Sequence, residues 1–439
     1  MSDILKHSNK FSIIDDFNIK QMDAAYVAHP WSAIDKSFDL IFSSGSGYVV
    51  NDIDGNSYID AASLNLTCGY QHKKIIDAVS KQLVQFPGTD ISLASHDLLG
   101  TLAKALSDLL PKNLTRTMFV NSGSEGIEAA IFIASSYWNN LNKSKYRIIS
   151  FAQGYHGSTY LSRGLTKLPR IAHPIEGSMK IDIVNLPEHY NKLEESDFLN
   201  ALINNFKSAF DRDKTSPIAV IVEPFLNVGG AIKLPSGFLT ELRKLCDHYN
   251  TLMIVDEVFT GYGRTGRMFA FEHEKVVPDI IVSSKGLAGG YAPVAVVNFK
   301  EEIYKSFIND SIMKGIRYGH TTSGHALACA AALATLEVLT EENLIQNSKR
   351  QGDKLLKRFS SFKGKGVVRD VRGFGLIFVL EMDSSTSADR FKISCKKMGM
   401  LVRQNGKSIM ITPPLSIDDN GIDKITNILT TVLTEESFV

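Results

Sequence analysis

Apolar positions along the chain recur with two different periods. In "SEGIEAAIFIASSYW" they fall at Ile127, Ala130, Ile131, Ala134 and Trp138, which is helical spacing. "RTMFV" (116–120) and "YRIISF" read as short strands, whereas "SPIAVIVEP" (216–224) and "TLMIVDEVF" (251–259) are continuous β-branched runs of the kind buried on both faces. Between these two runs, "SGFLTELRKLCDHYN" (236–250) predicts a helix with a serine cap and Phe238, Leu242, Leu245 and Tyr249 turned inward. "DIIVSS" (279–284) is the next strand. Strand and helix alternate from about residue 75, so a mostly parallel sheet flanked by helices is expected.

The two ends have a different texture. "GYVVNDIDGNSYID" (47–60) alternates around Asp54-Gly55, a hairpin signal. "GKGVVRDVRGFGLIFVLEM" (364–382) predicts two strands, and "DNGIDKITNILTTVL" (419–433) a closing helix. The expected organisation is an α/β protein in three parts. Residues 1–64 form an N-terminal segment and hairpin, 65–335 a large domain, and 336–439 a smaller α+β domain that the hairpin joins.

Length and composition narrow the class. With 439 residues, 44% of them hydrophobic, the chain can bury a large core in two or three domains. A net charge of +1 gives no reason to expect nucleic acid or an acidic membrane as partner. Cys68, Cys246, Cys329 and Cys395 lie far apart with no CxxC pair, which suits reduced thiols in a cytoplasmic protein rather than a disulfide framework or a zinc site. "MSDILKHSNKF" has no apolar h-region of a secretory signal. "ALACAAALATLEVL" (326–339) is too short to span a bilayer and reads as a core helix. The histidines show no HExxH-type spacing, so no metal is expected.

Candidate chemistry collects at strand ends. Lys285 follows strand 279–284, Asp256 ends the run before it, and Glu223 nearly ends the run before that. In open α/β sheets, ligands bind outside the carboxyl ends of the strands. A lysine there is either a solvated charge or a nucleophile whose pKa its surroundings lower. Asp256 is either a strand-end carboxylate on backbone amides or an acid that keeps a cofactor ring nitrogen protonated, and Glu257 points to the opposite face. "NSGSEGIEAA" (121–130) joins a strand to a helix start, where Gly123, Ser124 and free amides suit a phosphate; an ordinary serine cap is the alternative. In "QGYHGST" (153–159), Tyr155 is either a stacking platform or an ordinary aromatic. "GYGRTG" (261–266) fits G-x-G-x-x-G, but no apolar helix follows it, so an NAD-dependent oxidoreductase is a weak rival.

Seven stretches, in order and at family-like spacing, resemble the class III, pyridoxal-phosphate-dependent aminotransferases of fold type I, and most nearly their ω-transaminase branch. They are "FVNSGSEGIEAA", "GYHGST", "VEPFLNVGG", "IVDEVFTGYGRTG", "SSKGLAGGYAP", "HTTSGHALACAAALA" and "GMLVRQNGKSIMITPP". The resemblance runs from about residue 29 to the C-terminus. It implies an aspartate-aminotransferase-like fold with a seven-stranded-type sheet, and amino transfer from an amine or ω-amino donor to a small, pyruvate-like keto acid with ping-pong kinetics. An aminomutase or a decarboxylating aminotransferase on the same scaffold is the alternative.

The resemblance also implies roles for individual residues. Lys285 would hold pyridoxal 5'-phosphate as a Schiff base, and Asp256 would face its ring nitrogen. Ser122, Gly123 and Ser124 would form the phosphate loop, with Tyr155 and Val258 on the two ring faces and His156 and Glu223 close by. Thr321 would reach the cofactor of a partner subunit, which implies a homodimer. Arg403 would grip a substrate carboxylate, with Trp31, Leu64 and Tyr155 lining the pocket. Four departures stand out: Val228 where some relatives carry a glutamate, Phe259 where many have a glutamine, "EPFLN" for the usual "EPIQG", and a shortened "DAASLNLTCGY" (60–70) without its tryptophan.

Overall fold

The computed structural model describes residues 16–34, 38–168 and 179–435. The expectation for "MSDILKHSNKF" therefore lies outside the described residues. In chain order the N-terminal part supplies helix α1 (Asp16–Tyr26) and strands β1 (Phe42–Ser46), β2 (Val49–Asp52) and β3 (Ser57–Ala61). Helices α2 (Lys73–Gln85) and α3 (Asp97–Leu109) lead into β4 (Arg116–Val120), α4 (Gly123–Asn140), β5 (Arg147–Phe151), α5 (Tyr160–Leu165) and β6 (Lys180–Val184). Next come α6 (Glu195–Phe210), β7 (Ala219–Val222), the short pair β8 (Phe225–Leu226) and β9 (Ile232–Lys233), α7 (Phe238–His248) and β10 (Leu252–Asp256). Strands β11 (Ile280–Ser283) and β12 (Ala295–Phe299) precede α8 (Glu301–Ser306), α9 (Ala326–Glu341) and α10 (Leu344–Phe359). The chain closes with β13 (Val368–Gly373), β14 (Phe378–Met382), α11 (Ser385–Lys397), β15 (Met400–Asn405), β16 (Ser408–Ile411) and α12 (Asp419–Thr434).

One seven-stranded sheet has the order β4-β12-β11-β10-β7-β5-β6. Every pairing in it is parallel except those of β12, which runs antiparallel to both β11 and β4. The exception follows from connection length. Residues 284–294 are too few to carry a helix across the sheet, so the chain must turn straight back. Strands β7 and β10 are shorter than the β-branched runs around them. Pro217 and Pro224 bracket β7, and a proline has no amide hydrogen for a ladder.

Helix α4 covers this sheet with Ile127, Ala130, Ile131, Ala134 and Trp138 all buried, as their spacing predicts. Helix α9 is a buried core helix, as expected for 326–339. The expected serine cap on α7 is a miss. Gly237 caps it at φ 88, because the Ser236 amide and hydroxyl are both committed to Glu195 (2.9 and 2.8 Å).

The second sheet has the order β1-β2-β3-β15-β16-β14-β13 and joins the two chain ends. The hairpin turns at Gly55 (φ 86), and β3 then pairs parallel with β15, matching Asp60 to Leu401. All four cysteines are buried and free. Among the described residues no helix is long and apolar enough to cross a membrane.

Candidate active site

The carboxyl ends of β4, β5, β7, β10 and β11 open onto one cavity of about 640 Å³, with Ser122, Gly123, Ser124, Tyr155, His156, Glu223, Asp256, Val258 and Lys285 in its lining. The order of adjacent strands β7, β10 and β11 sets Glu223, Asp256 and Lys285 side by side. Lys285 opens the tight turn between β11 and β12, with its backbone in the left-handed region (φ 35). That conformation is strained for a residue with a Cβ and persists only where its surroundings hold it. Here Ser284 Oγ donates to the Val294 carbonyl (2.7 Å) and Thr67 Oγ1 to the Gly286 carbonyl (3.1 Å), closing the turn on both sides.

The charges at this edge act on each other. Burial pushes the Lys285 ammonium below the ordinary lysine range, against the opposing pull of Asp256 and Glu223. Burial, and then the neighbouring Asp256, push the Glu223 carboxyl well above the ordinary range. Glu223 also accepts from the Tyr155 amide (2.8 Å), which fixes the backbone of the cavity's aromatic residue. Asp256 is 5% exposed; its Oδ1 accepts from the Val258 amide (3.0 Å) and its Oδ2 from His156 Nδ1 (2.8 Å). Glu257, on the other strand face as expected, does not line the cavity. Its oxygens take the Thr260 hydroxyl and the Phe271 amide (2.9 Å).

The serine-cap alternative for 121–130 holds for Ser122, whose hydroxyl accepts from the Glu125 amide (3.2 Å). Ser124 is engaged differently, accepting from the Ser158 amide (3.0 Å), so the start of α4 and the loop 153–159 form one wall. Two glycines keep that wall concave. A Cβ on Gly123 would come within 2.9 Å of Val258, and one on Gly157 (φ 134) within 2.5 Å of Ser124 Oγ.

A second, outer cavity of about 670 Å³ shares Leu64, Tyr155, Asn227, Lys285 and Arg403 with the inner one and adds Trp31 and Val228. Trp31 meets Tyr155 edge-on with ring centroids 6.0 Å apart. Arg403 projects from β15, its Nε donating to the Ala62 carbonyl (3.1 Å). Thr321 is apart from these residues. It lines a separate cavity of about 860 Å³, although its neighbour Thr322 donates to Asn121 Oδ1 (3.2 Å) beside the α4 start. At 261–266 the peptide turns repeatedly and opens no helix, so it offers no dinucleotide seat. Two residues that sequence reasoning passed over stand out. Asn227 is 3% exposed in the wall shared by both cavities. Asp60, also buried, holds the loop beneath Arg403 through the Ala62 and Ser63 amides (both 3.0 Å). Only the departure of "EPFLN" from "EPIQG" hinted at the first.

A family model described as Aminotransferase class-III matches residues 32–433. The chain belongs to the class III aminotransferases. It is 30% identical over 436 residues to the adenosylmethionine-8-amino-7-oxononanoate aminotransferase of Staphylococcus aureus, covering 93% of this chain and 96% of that one. Its fold superposes on an (S)-enantioselective omega-transaminase from Thermomicrobium roseum with TM-score 0.91 at 25% identity, covering 97% and 99% of the two chains. It superposes on the omega transaminase of Pseudomonas jessenii, solved in complex with PMP, with TM-score 0.90 at 27% identity, covering 94% and 97%. As a class III aminotransferase it is a pyridoxal-phosphate enzyme that transfers amino groups, and its sheet architecture is that of fold type I. The residues present fit the cofactor. The inner cavity combines a lysine held below its ordinary pKa, a buried carboxylate, and a helix start and facing loop where Gly123 and Gly157 admit no Cβ.

Proposed function

We propose that this class III aminotransferase moves an amino group from an amine or ω-amino donor to a small keto acid of the pyruvate kind, in two half-reactions at the inner cavity. The observation that carries this reading is the convergence of Lys285, Asp256 and Glu223 at three adjacent strand ends around a concave, glycine-lined wall. When bound, pyridoxal phosphate supplies an aldehyde that condenses with amines and a ring that takes up an electron pair from the amine-bearing carbon.

Lys285 would hold the cofactor through Nζ. A lysine whose ammonium is destabilised by burial also serves as a base, so the same Nζ would take a proton from the amine-bearing carbon and return it. Asp256 would hold a proton on the ring nitrogen, with His156 fixing its orientation from behind. Ser122, Gly123 and Ser124 would take the phosphate at the start of α4. Tyr155 and Val258 would bracket the ring, with the Tyr155 backbone set by Glu223.

Arg403 would bind the carboxylate of the keto acid bidentately. Val228 supplies no carboxylate to draw Arg403 aside, which suits a donor without an α-carboxylate alternating with an acceptor that has one. Trp31, Leu64 and Tyr155 would line the amine side. Thr321 would serve the cofactor of the partner in a homodimer, consistent with its place outside its own chain's cavity. Cytoplasmic location and the division at residues 64 and 335 belong to the same reading.

Lys285→Ala tests it. Turnover should fall by at least ~10³-fold, the absorbance of lysine-bound cofactor should vanish, and the circular dichroism spectrum should stay unchanged. Full activity in that variant would remove the assignment.

A further inference from the structure

The outer cavity has hydrogen-bonding capacity that the fold leaves unused. Asn227 is 3% exposed, and its Oδ1 is buried with no hydrogen-bond partner. Ser32 Oγ, in the lining of the same cavity, is likewise buried and without a partner. Native proteins rarely leave such groups unsatisfied, and each costs free energy until a donor or acceptor arrives. Asn227 is also held in place at its backbone. Its carbonyl accepts from both the Ala231 amide and Asn405 Nδ2 (2.9 Å each), which fixes its backbone in the wall.

The same cavity is also lined by Trp31, Leu64 and Tyr155, and among the described lining residues there is no aspartate or glutamate. A donor with a second ammonium, such as a polyamine, would therefore find no counter-charge in this cavity. A carboxylate tail would find Arg403, but it only accepts hydrogen bonds and cannot serve Asn227 Oδ1. A methyl end would leave both groups unpaired. A hydroxyl or a carboxamide both donates and accepts, and so satisfies the pair.

We infer that Asn227 and Ser32 form a distal subsite for the amine donor that recognises an uncharged hydrogen-bonding group, a hydroxyl or a carboxamide, at the far end of a slender apolar stem. The subsite rests on the amino-transfer reading above and narrows its donor. Asn227 occupies a position in "EPFLN" that departs from the family's usual "EPIQG".

The test is a single-turnover comparison with the cofactor-loaded protein. Linear amino alcohols are mixed with the enzyme beside alkylamines of equal length, and bleaching of the cofactor's visible band is followed. At the best-fitting length, the amino alcohol should react about tenfold faster or more at subsaturating concentration. Asn227→Ala should erase that preference while leaving the alkylamine rates within about twofold. Ser32→Ala should reduce it in part, and Asn227→Gly should behave as Asn227→Ala does. An ω-amino acid serves as control, since any preference for its tail runs through Arg403 and should persist in Asn227→Ala. The inference is overturned if no length shows a preference, or if the preference survives both Asn227 variants. Bleaching by no amine at all would instead count against the amino-transfer reading, and the subsite would fall with it.

Discussion

His156 Nδ1 donates to Asp256 Oδ2 across 2.8 Å, and both side chains are buried. One sits on the loop after β5 and the other ends β10, a hundred positions apart in the chain. Asp256 Oδ1 takes the Val258 amide, so both oxygens of the acid are fixed. The histidine therefore determines which way the carboxylate faces the cavity. His156→Ala should slow the amine half-reaction roughly tenfold, the scale of a hydrogen bond to a charged group, with the cofactor still bound. His156→Asn, which keeps a donor, should recover part of the loss. Single-turnover absorbance reads both, and unchanged rates in His156→Ala would show that Asp256 is held without it.

Glu257 gives a pH signature separate from catalysis. Burial pushes its carboxyl up to about 7, although Thr260 and the Phe271 amide bond it. Between the unfolded value of 4.5 and about 7 the folded state binds more protons than the unfolded one. Stability therefore falls as pH rises through that window and is level above it. The expected loss is about 3 kcal/mol. Glu257→Gln keeps an acceptor for the Phe271 amide and should flatten that part of the profile. Urea melts across the window measure it, and an unchanged slope in the variant would assign the dependence to other groups.

Gly157 is constrained both by its backbone and by the wall it faces. At φ 134, with a Cβ 2.5 Å from Ser124 Oγ, an alanine both strains the chain and pushes the serine off its position. Gly157→Ala should weaken cofactor binding by about tenfold or more, given strain of roughly 1–3 kcal/mol. Fluorescence titration of the apoprotein with pyridoxal phosphate is the readout, and an affinity equal to wild type would show that the wall yields freely.

The role proposed for Arg403 predicts that its loss affects the two half-reactions unequally. Arg403→Ala should raise KM for pyruvate by at least about tenfold, the scale of a lost bidentate carboxylate contact. Reaction with a carboxylate-free amine should be nearly unchanged. An equal loss in both would take Arg403 out of acceptor binding.

Much of the fold was legible along the chain. The period of the apolar residues gave α4 and the strands at 116–120, 147–151 and 280–283 with little error, because each buries a regular face. The β-branched runs overestimated β7 and β10, since apolar composition continues past the last ladder hydrogen bond. The cap of α7 was misjudged because Ser236 is bonded to Glu195, forty-one positions away in sequence. No local signal carries such a partner. The antiparallel β12 was also not foreseen, although the short connection at 284–294 makes its direction necessary.

By itself the sequence determined the family and the residues with chemistry to offer. Lys285, Asp256 and Glu223 each follow or end an apolar run, and in an open α/β sheet such positions share one edge. Only the tertiary structure decided how those residues act on one another. Parallel pairing of β7, β10 and β11 sets the three side by side, and their burial together moves the lysine down and Glu223 up. It also decided that His156 aims Asp256, that Thr321 lies outside its own chain's cavity, and that Oδ1 of Asn227 is left without a hydrogen-bond partner in the cavity wall. These are properties of desolvation and of contacts between distant segments. They arise only once the chain has closed around the site.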